Sequence, residues 1–133
     1  MIMEEALVAR LAAAPAVAAV VGSRISFFGR QREDILPALM LTTIDPGREW
    51  THAGPDWLDR AMVQFDCWGS TPAQVVALKT ALRDVLEIAA TAGGIKFHPA
   101  MLTSERWDEE VNPDGGQRLF RISLDYLFYH EES

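Results

Sequence analysis

The side chains that could do chemistry here are few and widely spaced. Cys67 is the single cysteine, and the histidines are His52, His98 and His130. A thiol nucleophile needs a neighbouring base, and His98 is the candidate. Yet Cys67 alternates with Val63 and Phe65 along a strand-like run, the setting of a small buried hydrophobe rather than a thiolate. The histidines lie too far apart in sequence to form a local metal motif. The run from Asp108, Glu109 and Glu110 to Asp114 has the charge of a calcium loop. However, Pro113 occupies the glycine position and Leu119 the position of the bidentate glutamate, so it reads as a solvated turn. The Gly93-Gly94 and Gly115-Gly116 pairs match neither phosphate-loop pattern, and there is no Gly-x-Ser-x-Gly elbow. No acid–base set, cofactor site or metal site emerges, and the chain reads as a non-enzyme.

The tryptophans point to contact instead. Trp68 closes a core strand, whereas Trp50, Trp57 and Trp107 lie in or beside polar, turn-rich segments. They either fold back as lids on a sheet or anchor subunit contacts, where Trp and Arg are favoured. Arg48 beside Trp50 and Arg106 beside Trp107 fit the second reading.

The elements that must position these residues follow from periodicity. Met3 to Ala14 has a helical stripe of Met3, Leu7 and Leu11, with Glu4, Glu5 and Arg10 elsewhere on the wheel. Pro15 ends it or opens a second short turn to Val21. Strands are expected at Arg24 to Phe28, Ala38 to Asp45 and Leu58 to Trp68, with a turn-rich arm from Pro46 to Pro55. A second helix starts at a Thr71-x-x-Gln74 capping box with Pro72 in its first turn, carries Val75, Leu78, Leu82, Val85, Leu86 and Ala89, and stops at Gly93-Gly94. Ile95 to Leu102 is an edge or bulged strand because of Pro99. Thr103 to Gly116 is a charged loop or strand extension ending in a turn. Arg118 to His130 alternates almost perfectly between apolar and mixed positions, with Phe120, Ile122, Leu124, Tyr126 and Phe128 on one face. The sum is a single α+β domain over residues 1–133: one mostly antiparallel or mixed sheet with two helices packed on one face.

Composition narrows the function classes. A net charge of −7 argues against phosphate binding through clustered Lys and Arg. The lone cysteine excludes an internal disulfide. The apolar stretch from Ala6 to Gly22 is broken by Arg10 and Pro15 and falls short of the ~20 residues of a membrane span. A soluble, cytoplasmic protein is expected.

Three stretches resemble the tail-completion, or tail-terminator, family of long-tailed bacteriophages and related gene-transfer particles. They are Glu4-Glu-Ala-Leu-Val-Ala-Arg-Leu11 followed by Val20-Val-Gly-Ser-Arg-Ile25; Val63-Gln-Phe-Asp-Cys-Trp68 leading into the capped helix; and Phe120-Arg-Ile-Ser-Leu-Asp-Tyr126. The resemblance implies a structural virion protein, assembled in the host bacterial cytoplasm, with no cofactor. It implies a ring, typically of six copies, that caps the head-proximal end of the tail tube, halts its growth and docks the head connector or stopper, while DNA passes through the lumen without specific binding. A stopper or adaptor protein of the same junction is the alternative within that class, and a small cytoplasmic enzyme or ligand-binding domain the alternative outside it. Within the ring, Arg48, Trp50, Trp57, Arg106 and Trp107 are the expected contact residues. Asp108, Glu109 and Glu110, or the acidic first helix, are the expected lumen lining, where negative charge would repel phosphate.

Overall fold

The computed structural model describes residues 2–27, 36–45, 50–51, 54–55, 59–111 and 118–132, with the backbone alone for Trp50, Thr51, Gly54, Pro55 and Val111. In chain order the elements are α1 (Met3–Ala13), α2 (Pro15–Val21), β1 (Ile25–Phe27), β2 (Ala38–Asp45), β3 (Trp50–Thr51), β4 (Gly54–Pro55), β5 (Asp59–Gly69), α3 (Pro72–Leu86), β6 (Ala90–Ala92), β7 (Ile95–Phe97), β8 (Met101–Val111) and β9 (Arg118–Glu132).

The described residues hold three helices rather than the two expected. Pro15 cannot continue α1, because it has no N–H to donate and forces Ala14 into an extended conformation; it instead takes the first position of α2. At the start of α3 the Thr71 hydroxyl accepts from the Gln74 N–H at 3.3 Å, while Gln74 Oε1 accepts from the Ser70 N–H at 2.8 Å. The reciprocal half of the capping box has thus slipped back by one residue.

The helix ends at Leu86, short of the glycine pair. Gly93 and Gly94, at φ 57° and 76°, form the turn of the β6–β7 hairpin, where two successive left-handed residues match the twist of the flanking strands. The expected strand across Pro99 is two strands, β7 and β8, and the charged stretch after Leu102 is regular strand up to Val111.

The main sheet runs β1-β2-β5-β9-β7-β6, with β8 also paired to β9. β1 and β2 are parallel and every other pair is antiparallel, so the sheet is mixed. β9, fifteen residues long, is its spine: β5 lies along one edge, and β8 and β7 share the other. β3 and β4 form a separate two-stranded ladder.

Register places Leu39, Cys67 and Ile122 in one row, and Leu41, Phe65 and Leu124 in the next. These side chains join Leu7, Leu11, Val17, Leu78 and Leu82 from the helices in a single buried cluster. Phe65, Phe97, Tyr126 and Phe128 pack at its centre with ring centroids 5.8 to 6.3 Å apart. Each such side chain contributes about 2 kcal/mol by burial, against at most about 1 kcal/mol for an exposed ion pair, so the core holds the domain. No helix among the described residues is long and apolar enough to cross a membrane.

Candidate functional site

β8 is the element to which most of the singled-out residues belong. It is an eleven-residue strand at the edge of the sheet, and among the described residues no strand pairs with its outer side. Its register on β9 sets Glu105 opposite Leu124, Trp107 opposite Ile122 and Glu109 opposite Phe120, on the face that bears the core. Arg106 and Asp108 lie opposite Ser123 and Arg121 on the other face. Adjacent strand residues point to opposite sides, so Arg106 and Trp107 do not form one anchor. The acidic trio divides as well, with Asp108 and Glu110 on one face and Glu109 on the other.

Trp107 is 57% exposed and yet held. Its Nε1 donates to Glu105 Oε2 at 2.7 Å, and the Lys79 ammonium of α3 lies 5.4 Å from the ring centroid and 3.0 Å from the same carboxylate. The bond from Trp107, together with Lys79, keeps the Glu105 carboxyl below its ordinary value. Beside the ring, Pro72, Val75, Phe120 and Ile122 line a cleft of about 330 Å³ at the start of α3.

The opposite face carries a polar ladder. Arg106 binds Asp125 through two bonds of 3.0 and 3.2 Å, and this carboxylate holds the guanidinium above its usual value. Asp66 and Ser123 are buried, with the hydroxyl donating to Asp66 Oδ1 at 2.5 Å and Gln64 Nε2 donating to the same carboxylate. Arg121 pairs with Asp108 at 2.7 Å and lies over the Trp68 ring at 5.1 Å. On the core-bearing face, Glu109 pairs with Arg118 at 3.4 Å. Sequence reasoning missed this ladder because Gln64, Asp66, Ser123 and Asp125 occupy the alternate positions of two strands, which ordinarily face water.

Cys67 lies fully buried in the core, and desolvation pushes its thiol well above the ordinary value. His98 Nε2 lies 3.9 Å from the Glu131 carboxylate and makes no hydrogen bond among the described residues. Among the described residues no group of His, Cys, Asp and Glu is arranged to hold a metal ion. Arg48, His52, Trp57, the loop from Gly29 to Asp34 and the turn from Asn112 to Gly116 lie outside the described residues. Trp50 is placed by its backbone in β3, opposite Pro55.

Comparison with known proteins gives the family. Residues 5–131 match the family of tail completion protein gp17. Among solved structures, a chain of the virion of a native gene transfer agent (GTA) particle superposes with a TM-score of 0.65 at 14% identity, over 97% of this chain and 94% of that one. No curated protein matches the chain. The match spans nearly the whole sequence, so the chain belongs to the tail completion family and is a structural protein of a phage-type tail.

Proposed function

We propose that this member of the tail completion family forms a ring of six copies at the head-proximal end of the tail tube. The ring ends tube polymerisation, presents a docking face to the head connector or stopper, and lets DNA through its lumen. The observation that carries this reading is the open edge of β8. An eleven-residue strand with exposed Trp107 and, among the described residues, no pairing partner on its outer side is a surface for association rather than for reaction.

In this ring the three helices form one layer on the core-bearing face of the sheet, a reading supported by the single cluster their apolar residues share with that face. The polar face turns to the bore. Asp108 and Glu110 lie on that face, and Glu109 lies on the opposite one. Arg121 neutralises Asp108 on that face. Six copies at −7 each carry −42, a field that disfavours phosphate contact and lets DNA slide. Arg48, Trp50 and Trp57, on the arm between β2 and β5, contact neighbouring copies or the tube, alongside Arg106 and Trp107.

The test is binding to purified tail tubes, read by negative-stain imaging and by pull-down with tube subunits and, separately, with portal-side proteins. A six-fold ring at one tube end, with capture of the tube subunit, is the expected result. Capture by portal-side proteins alone would replace a terminator with a stopper or adaptor.

A further inference from the structure

β8 ends the sheet with an open row of main-chain donors and acceptors. Among the described residues no strand covers its outer side, and from Met101 to Glu110 every residue but Ser104 is exposed. Such an edge is completed by an extended backbone. The strands at the two ends of the sheet cannot supply one of matching length, since β1 and β6 hold three residues each against eleven.

An extended backbone without a larger sheet lies elsewhere in the chain. Among the described residues β3 and β4 pair only with each other, Trp50 with Pro55 and Thr51 with Gly54. A two-stranded hairpin is marginal in water and gains stability from a third strand. Pro55 in β4 has no N–H to donate, so β3 is the side of the hairpin fitted to a new ladder. This hairpin cannot reach β8 of its own chain. Asp45 pairs with Met62, whereas Trp107 lies in the row of Ile122 and Cys67, five residues further along β5. That length of strand is about 17 Å, the whole reach of the segment from Asp45 to Trp50. Nothing is left for the path across the sheet from β2 through β5 and β9 to β8, about 14 Å more. The β8 that receives β3 therefore belongs to another copy.

We propose that β3 of one copy adds to the outer edge of β8 of the next, parallel to it, with Trp50 level with Trp107. Charge sets the direction and the register. In this alignment Arg48 meets Glu105, Glu49 meets Arg106 and Thr51 meets Asp108. The antiparallel alignment on the same two tryptophans sets Glu49 against Asp108, and like charges directly opposite are unfavourable. The groups on β8 have capacity to spare. Glu105 Oε1 accepts no hydrogen bond among the described residues, where Trp107 and Lys79 both donate to Oε2. The Arg106 side chain is 47% exposed and donates through its two Nη alone among the described residues. Pro55 then lies in the outermost strand and blunts that edge against further addition. Arm and edge are different surfaces, so the association is head-to-tail, the kind of contact that closes into a ring. The inference rests on the ring reading above and names the two surfaces that meet.

The experiment is oxidative cross-linking and sedimentation of the full-length protein, free and bound to purified tail tubes. Cys67 is buried, so introduced cysteines report alone. A chain bearing both Thr51→Cys and Asp108→Cys is expected to give a covalent ladder that ends at the ring size, and each single substitution none. A ladder from Thr51→Cys with Arg106→Cys in its place would overturn the parallel register. Exchanging the arm charges, Arg48→Glu together with Glu49→Arg, leaves the net charge at −7. The exchange is expected to weaken association about tenfold or more, while the monomer's melting temperature stays unchanged because the arm lies outside the main sheet. Rings that assemble normally on tubes with the exchanged arm, without a ladder from the Thr51→Cys, Asp108→Cys chain, would overturn the strand addition and leave the ring intact. Tube ends left bare by the wild-type protein would overturn the ring, and the strand addition with it.

Discussion

Arg10 Nη2 donates to the main-chain oxygen of Ile88 at 2.8 Å, joining the first helix to the end of α3 across 78 residues of chain. Ile88 lies just beyond α3, and Arg10 also reaches the Val85 oxygen within it. The guanidinium thereby satisfies carbonyls that have no partner within the helix and places positive charge at the negative end of its dipole.

Arg10→Met keeps most of the side-chain volume and removes both bonds. It is expected to destabilise the domain by about 2 kcal/mol. Urea unfolding should show a lower midpoint with an unchanged slope. A midpoint within error of wild type would mean that α3 ends without help from α1.

Cys67 is expected to resist alkylation in the folded protein at mildly alkaline pH, because burial and the raised thiol pKa both deny access to the thiolate. Labelling by iodoacetamide should proceed only as fast as global opening and accelerate with urea. Rapid labelling of native protein would place the thiol at a surface.

His130 gives the domain a pH dependence of definite sign. Burial lowers its imidazole below the ordinary 6.5, with the charges of Asp59 and Glu4 partly opposing the shift. Between the two values the unfolded chain binds a proton that the folded chain does not, so stability falls as pH drops through 6.5 towards the folded value and is level below it. Comparing urea midpoints at about pH 7.5 and about pH 5.5, His130→Gln should lose part of the decline seen in wild type. An identical decline in both proteins would assign it to other groups.

Alanine at both Trp50 and Trp57 is expected to shift assembled protein from ring towards monomer in sedimentation, if the arm clasps neighbouring copies through these rings. An unchanged distribution at equal concentration would confine association to other surfaces, β8 first among them.

Strands with one buried face were legible in the sequence. Val63, Phe65 and Cys67 alternate with polar residues, as do Ile122, Leu124 and Tyr126, and both runs lie where the period-2 pattern sets them. β8 is legible only as one of two alternatives, a charged loop or a strand extension, because Ser104, Arg106 and Asp108 on one face are all polar and Glu105 and Glu109 flank Trp107 on the other. An edge strand whose both sides meet water carries no hydrophobic alternation. Gly93-Gly94 was read as a helix stop because the left-handed backbone that closes a helix also makes a type I′ hairpin turn. The helical wheel sets Arg10 off the apolar stripe with Glu4 and Glu5, because its acceptors are main-chain atoms distant in sequence, and no local pattern encodes them. Arg106 and Trp107 looked like a pair because they are neighbours in the chain; once they lie in a strand, that same adjacency separates them.

In the proposed ring this domain serves a tail by gripping copies of itself at the tube's end. The deciding measurement is the length distribution of tails in particles made without this gene. Tubes of irregular, excessive length that remain unjoined to heads are expected, with normal length restored by supplying the protein. Tails of normal length joined to filled capsids in its absence would contradict it.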